Sequence, residues 1–230
     1  MLQGYLQTNN INGGQPCKKK WIPCKIEKSG TWSIYHLVTP IKGRWVYVVK
    51  SDGQHKECFV VKGFTQIYGI DFEETFSPVA RFKSVQLLLS IAVLEDWEIE
   101  ALNAKTAFLF GDLDEEIYLE QPEGFVKKGM ENKVCHLRKA IYGLKQAALQ
   151  WNKALHQSLL EMGFVCILSD PGIYVHFHGQ DIIILVIYVD DSLFIGSNKS
   201  YLKFKKKQFM DHWESRDLGE VTEYLGMQIT

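Results

Sequence analysis

Asp190 and Asp191 are adjacent carboxylates set between two apolar stretches, Ile182 to Val189 on one side and Ser192 to Ile195 on the other. Runs of this length suit buried strands, so the sequence predicts a hairpin whose tight turn, Val189-Asp190-Asp191, is pressed against a core. Two like charges at one turn repel, and burial raises the cost of each. A divalent cation relieves that cost. Magnesium takes hard oxygen ligands, usually one or two carboxylates together with substrate phosphates. A solvated Asp-Asp turn with no chemistry is the other reading, and the residues alone leave both open.

Other polar clusters carry two readings as well. His176 and His178 alternate on an expected strand and share a face, as a metal pair or as a solvated hairpin edge. Lys203, Lys205, Lys206 and Lys207 form a run on an expected helix, either a solvated face or a phosphate contact. Trp and Phe residues read as core more readily than as stacking platforms for bases. The five cysteines, Cys17, Cys24, Cys58, Cys135 and Cys166, are odd in number and scattered. Only Cys17 and Cys24 are close, at a spacing poor for zinc, so they read as reduced intracellular thiols.

The elements that must position these groups follow from pattern. Residues 1–30 are weakly patterned, with Asn and Gly residues and the Lys18-Lys19-Lys20 run, and are expected to be a weakly ordered leader. Arg44 to Lys50 and Cys58 to Lys62 read as strands around a Ser51-Asp52-Gly53 turn. Ser84 to Trp97 suits a buried helix and Glu98 to Asn103 a short strand, followed by a turn bearing Asp112, Asp114, Glu115 and Glu116. Pro122 to Lys133 reads as loop and Val134 to Leu137 as another short strand. Ala148, Trp151, Leu155, Leu159 and Met162 fall at spacings of three and four, an amphipathic helix that Gly163 stops. Ile173 to His178, a Gly179-Gln180 turn and Ile182 to Tyr188 form a further hairpin, and Tyr201 to Trp213 a Lys-rich helix whose apolar side is Leu202, Phe209 and Trp213. Helices mixed with antiparallel hairpins make the fold class α+β.

Composition narrows the function. The chain has 230 residues, 46% apolar and 23% charged, which excludes wholesale disorder. The net charge of −1 excludes binding to nucleic acid by bulk charge alone, though not a local basic groove. The start lacks the basic and apolar regions of a secretory signal, and the longest apolar run, Ile182 to Val189, is too short to span a bilayer. An intracellular protein, cytoplasmic or nuclear and without membrane attachment, is the expectation.

A series of blocks then fixes a resemblance. Lys62-Gly63-Phe64-Thr65-Gln66 is followed by Tyr68-Gly69-Ile70-Asp71-Phe72 and Thr75-Phe76-Ser77-Pro78-Val79. Lys105-Thr106-Ala107-Phe108-Leu109 and Gly111-Asp112-Leu113 come next, then Glu120-Gln121-Pro122-Glu123-Gly124-Phe125 and Tyr142-Gly143-Leu144-Lys145-Gln146. Tyr188-Val189-Asp190-Asp191, Asp217-Leu218-Gly219-Glu220 and Tyr224-Leu225-Gly226 complete the order. From about Gly30 to Ile229 the chain resembles the reverse transcriptase domain of copia-type LTR retrotransposons. The resemblance implies a polymerase-type right hand over residues 31–230, with fingers and palm subdomains, an antiparallel palm sheet with flanking helices, and a thumb that is absent or incomplete. It implies no RNase H, integrase or protease region. Asp190 and Asp191 match the metal-binding pair and Phe108 the bulky residue that excludes a ribose 2′-hydroxyl. Gly143 and Lys145 match the segment lining the nucleotide and template site, and Lys56 a basic fingers residue near the incoming triphosphate. Lys203 and Lys206 are candidate nucleic-acid contacts, and Gly219 belongs to a block that steadies the primer end.

The chain also departs from the family. The first palm aspartate should precede the Lys-Thr-Ala-Phe-Leu block, where this chain has Leu102-Asn103-Ala104-Lys105. An amide supplies one neutral oxygen and cannot bridge two metals as a carboxylate does. Loss of several kcal/mol of transition-state stabilisation corresponds to roughly three or more orders of magnitude in rate. Asp112 and Asp114 lie beyond the strand end and are poorly placed to substitute. Cys58 stands where the family has an arginine, beside an added Glu57, and a thiol cannot grip phosphate as a guanidinium does. Ala147-Ala148-Leu149 lacks the family's proline and arginine, and Ser169-Asp170-Pro171 replaces Ser-Asp-His. Together these read as decay.

The implied function is an RNA-directed DNA polymerase that uses two Mg²⁺ ions, an RNA or DNA template with its primer, and deoxynucleotides, within a possible larger polyprotein. The expectation for this chain is a truncated, decayed copy with little or no activity. A non-enzymatic nucleic-acid-binding remnant and a relic without function are the alternatives.

Overall fold

A computed structural model describes residues 30–34, 39–49, 53, 55–221 and 223–229. The basic leader, Cys17, Cys24 and the Ser51-Asp52 turn residues lie outside them. In chain order the strands and helices are β1 (Gly30–Ile34), β2 (Gly43–Val49), β3 (His55–Val61), α1 (Phe82–Leu94), β4 (Glu98–Ala104), β5 (Asp112–Leu119), β6 (Lys133–Lys139) and α2 (Ala147–Glu161). They continue with β7 (Val165–Cys166), β8 (Ile173–His178), β9 (Asp181–Tyr188), β10 (Asp191–Gly196), α3 (Lys199–His212), β11 (Ser215–Glu220), β12 (Glu223–Tyr224) and β13 (Met227–Gln228). No helix among the described residues is long and apolar enough to cross a membrane.

Each expected element appears within a few residues of its predicted bounds, with one difference. The acidic run Asp112, Asp114, Glu115 and Glu116 lies on β5, not in a turn. The reason is the period-two alternation of Leu113, Ile117 and Leu119, which turns the strand's apolar edge inward while Asp112, Asp114 and Glu116 face out; Glu115 falls on the inward side, where its carboxylate accepts from Gln146 Nε2 at 3.2 Å. Asp112 and Asp114 are engaged there, by Lys139 at 2.6 Å and Lys153 at 3.3 Å.

The chain divides into two units, one of Ser77–Ala107 and Leu155–Thr230, the other of the described residues up to Phe76 and Phe108–Ala154. The first holds a six-stranded antiparallel sheet in the order β11-β4-β10-β9-β8-β7, with the β12-β13 hairpin besides. β9 and β10 are central, and Ile183–Ile187 and Leu193–Ile195 are buried on both faces, which is why both strands read as unbroken apolar runs. Val85, Leu89 and Ala92 of α1 pack with Ala101, Ile184, Val186, Leu193, Ile195 and Tyr224. α3 caps at Asn198, whose Oδ1 accepts from the Ser200 and Tyr201 N–H groups.

The second unit has a three-stranded sheet, β1-β6-β5, and a β2-β3 hairpin in register from Gly43 opposite Val61 to Val49 opposite His55. Ile41, Val61, Ile117, Leu119, Leu137, Ala140 and Leu144 form its core.

Candidate active site

The carboxylate pair is set by the β9-β10 hairpin, closed by Tyr188 opposite Asp191. Val189 sits in the left-handed region at φ 59°. A two-residue hairpin turn wants positive φ at its first central position, a place usually taken by glycine. A β-branched residue there is strained by about 1–3 kcal/mol. The buried flanking strands hold it, and the turn carries Asp190 inward to 8% exposure. The Ala104 N–H donates to the Asp190 carbonyl at 2.7 Å, tying the turn to the end of β4.

Asp191 lies directly opposite Asn103 on β4, so the two side chains share a face. The Asn103 Nδ2–H donates to Asp191 Oδ1 at 2.8 Å. Burial pushes the Asp191 carboxyl above its ordinary range, and the Asn103 hydrogen bond offsets that in part. Among the described residues the buried Tyr224 hydroxyl has no hydrogen-bond partner; burial first, then Asp191 and Tyr188, push its pKa up.

This donor set bears on the implied magnesium. Asp190 and Asp191 offer hard oxygens suited to a single cation. Asn103 turns an N–H toward Asp191, so the third carboxylate that a two-ion site would share is missing. Among the described residues no group of three or more His, Cys, Asp or Glu side chains comes together to hold a metal. His176 instead faces the Tyr201 hydroxyl at 3.4 Å, and His178 stacks on the Tyr201 ring.

In the second unit two of the sequence blocks meet. The Val61 N–H donates to the Tyr142 carbonyl at 2.9 Å, and Gly143, at φ 100°, passes so close to Val61 that a side chain would collide with its carbonyl. Gln66 and Gln146 are buried and joined, Nε2 to Oε1, at 3.0 Å. Gln146 Nε2 also donates to the Asp71 carbonyl and to Glu115. Lys145 donates its N–H to Gln66 Oε1 at 2.7 Å and its ammonium to the Gln66 carbonyl, over the Phe72 ring at 4.4 Å. Phe108 packs on Tyr142 with ring centroids 4.4 Å apart. On β3, Lys56 lies opposite Val48 of β2 and Cys58 opposite Val46, the cysteine half-buried. Sequence reasoning quoted Gln66 and Gln146 within their blocks but gave them no role. A glutamine beside a glycine needing close approach was the available signal.

The lysine run, for which the residues leave a solvated face and a phosphate contact both open, is divided by burial. Lys203 and Lys207 are exposed, but Lys205 and Lys206 are buried. Lys205 donates to the Met162 carbonyl at 2.8 Å, and burial lowers its pKa. The Lys206 ammonium, 4% exposed, bridges Glu100 Oε2 and Asp217 Oδ1, each at 2.5 Å. It is thus paired with two carboxylates of the same unit, one buried and one half-exposed. Burial would raise the Asp217 carboxyl, but Lys206 and the Gly219 N–H hold it below its ordinary range. Gly219, at φ 70°, closes a bulge in β11 where its pairing with β4 shifts between Asp217 and Gly219. Asn103 and Asp191 therefore meet in the first unit, with Asp190 beside them in the turn and tied to β4 through its backbone carbonyl, and Gly219 on the β11 strand. Gly143, Lys145 and Phe108 belong to the second.

Comparison with known proteins agrees with this arrangement of blocks. A family model described as reverse transcriptase (RNA-dependent DNA polymerase) matches residues 31–230. The chain is 42% identical over 213 residues to the retrovirus-related Pol polyprotein from transposon TNT 1-94 of Nicotiana tabacum, covering 89% of this chain and 16% of that protein. It is 39% and 38% identical over 196 residues to the retrovirus-related Pol polyproteins from transposons RE2 and RE1 of Arabidopsis thaliana, covering 83% of this chain and 14% and 13% of theirs. The chain thus spans about one-sixth or less of the length of these relatives. With its motifs in copia-type order and its sequence matched across the family model, the chain belongs to the reverse transcriptase (RNA-dependent DNA polymerase) family found in retrotransposon Pol polyproteins.

Proposed function

We propose that this chain is the fingers-and-palm part of a copia-type retrotransposon polymerase, built for nucleotidyl transfer to a primer 3′-hydroxyl but left with little or no activity by Asn103. The observation that carries the second clause is the Asn103 hydrogen bond to Asp191. In the active form of such a site the primer hydroxyl attacks the α-phosphate of a deoxynucleotide and pyrophosphate leaves. Bound Mg²⁺ would supply neutralisation of the attacking and leaving oxygens. Asp190 and Asp191 would hold it, with no third carboxylate beside them. Phe108 would exclude a ribose 2′-hydroxyl, while Gly143, Lys145 and Lys56 line the nucleotide side and Gly219 steadies the primer strand. The template is RNA or DNA, and the natural context is a longer polyprotein.

The same hydrogen bond favours a second reading, a nucleic-acid-binding remnant. An amide that satisfies Asp191 lets the site fold without metal. Primer extension in Mg²⁺ or Mn²⁺ separates the two. The chain as it stands should extend a primer at least about a thousandfold more slowly than its Asn103→Asp variant. Equal rates would overturn the reading of Asn103. Duplex binding without extension in either form would favour the remnant.

A further inference from the structure

One face of the first unit is left outside the proposed polymerase chemistry. There the end of β8 and the start of α3 set three rings in a stack. His178 lies over Tyr201 with centroids 4.7 Å apart and planes 21° from parallel. Tyr201 lies over Phe204 at 6.0 Å and 22°. Tyr201 is half-buried and anchors the stack; His178 is exposed and Phe204 is 53% exposed, so each presents a ring face to solvent. Lys203 and Lys207, one helical turn apart beside Phe204, are exposed and make no ion pair among the described residues. The acids nearby are Asp181, which accepts from Asn198 at 3.2 Å, Asp211, one turn beyond Lys207, and Asp217, which pairs with Lys206 and whose charge is also felt by Lys203.

We propose that the His178-Tyr201-Phe204 stack, flanked by Lys203 and Lys207, is a binding platform for single-stranded nucleic acid. Each part has a matching group on such a strand. Bases stack on aromatic faces with little regard to sequence, and phosphates neutralise unpaired ammonium groups. Residues four apart on a helix sit about 5–6 Å apart at Cβ, a spacing on the scale of neighbouring phosphates. Exposed parallel rings alone would suit an apolar partner; two exposed cations beside them, Lys207 and Lys203, the second sharing the field of Asp217 with Lys206, select a polyanion with flat bases. The proposal deepens the nucleic-acid reading of Lys203 and does not rest on polymerase activity.

The test is fluorescence anisotropy with labelled oligothymidylate on the full chain, with excess unlabelled primer–template duplex present to occupy any duplex site. Phe204→Ala, at an exposed position, should weaken oligothymidylate binding by roughly fivefold to a hundredfold. Replacing Lys203 and Lys207 by Ala should flatten the slope of log K against log salt by about 0.7 per lysine. Duplex affinity should be unchanged in Phe204→Ala. Unchanged oligothymidylate affinity in Phe204→Ala overturns the proposal. So does self-association of the chain that Phe204→Ala abolishes, because the face is then a contact between copies. Loss of duplex binding with the oligothymidylate response intact removes the polymerase reading and supports this one.

Discussion

Replacing Asn103 by Asp exchanges one hydrogen bond for a repulsion. The Asn103 Nδ2 stands 2.8 Å from Asp191 Oδ1, and in the variant an oxygen takes its place. The lost hydrogen bond to a charged acceptor contributes about 1.5–3 kcal/mol. Two unit charges about 4 Å apart near a protein surface repel by about 4 kcal/mol. Proton uptake caps the sum, since burial already raises the Asp191 carboxyl. A carboxyl whose folded pKa is raised contributes stability that is complete below its unfolded pKa and is lost as pH rises through the folded one. The metal-free variant should therefore be about 3–5 kcal/mol less stable than the parent at neutral pH, with the difference shrinking as the pH falls. Mg²⁺ should restore much of it in the variant and change the parent little. Urea unfolding at neutral and acid pH, with Mg²⁺ or EDTA, reads all three. If the variant is as stable as the parent in EDTA, or if Mg²⁺ stabilises both equally, Asn103 does not occupy the place of a metal-linked carboxylate and the reasoning fails.

Further outcomes are expected elsewhere. Val189→Gly should stabilise the chain by about 1 kcal/mol, release of left-handed strain outweighing the flexibility that glycine adds to the unfolded chain; thermal unfolding checks it. Lys206→Met should cost about 3–5 kcal/mol because Glu100 and Asp217 are left without their shared cation, and Glu100→Gln with Asp217→Asn on that background should recover part of it in denaturant unfolding. Gln146→Ala should cost about 2–3 kcal/mol by stranding the buried Gln66 amide, visible as faster hydrogen exchange in the second unit. His176 is held below its usual pKa by burial, then by Lys205 and His178. Its contribution is therefore present above the unfolded pKa and lost as pH falls through the folded one, and His176→Gln should flatten stability between about pH 7 and pH 5.

Periodicity carried most of the fold, because the β9-β10 and β2-β3 hairpins and the helices bury faces that local pattern reports. It did not reveal β5 as a strand, because four acids obscured the Leu113, Ile117 and Leu119 alternation. β12 and β13, two residues each, are too short to show any period, and β11 carries one apolar residue, Leu218, among polar and glycine neighbours, so it shows no alternation. Lys205 and Lys206 follow Leu202 by three and four residues, the same side as Phe209, so their burial was written in position while their charge argued against it. Their partners are distant: Met162 for Lys205, Glu100 and Asp217 for Lys206. No local rule supplies such a pairing. Asn103 and Asp191 are likewise 88 residues apart, and motif order rather than pattern placed them in one site.

The bond from the Ala104 N–H to the Asp190 carbonyl has a chemical consequence for an ageing sample. Asparagine deamidates when the nitrogen of the following residue attacks its side-chain carbonyl and ammonia leaves, closing a succinimide ring that water opens to aspartate and isoaspartate. At Asn103 that nitrogen is Ala104 N, held at 2.7 Å from a carbonyl oxygen at the end of an extended strand. The ring cannot close while the sheet is intact. Stored protein will therefore not drift toward the carboxylate form at this position, and any polymerase activity that grows in with time has another origin.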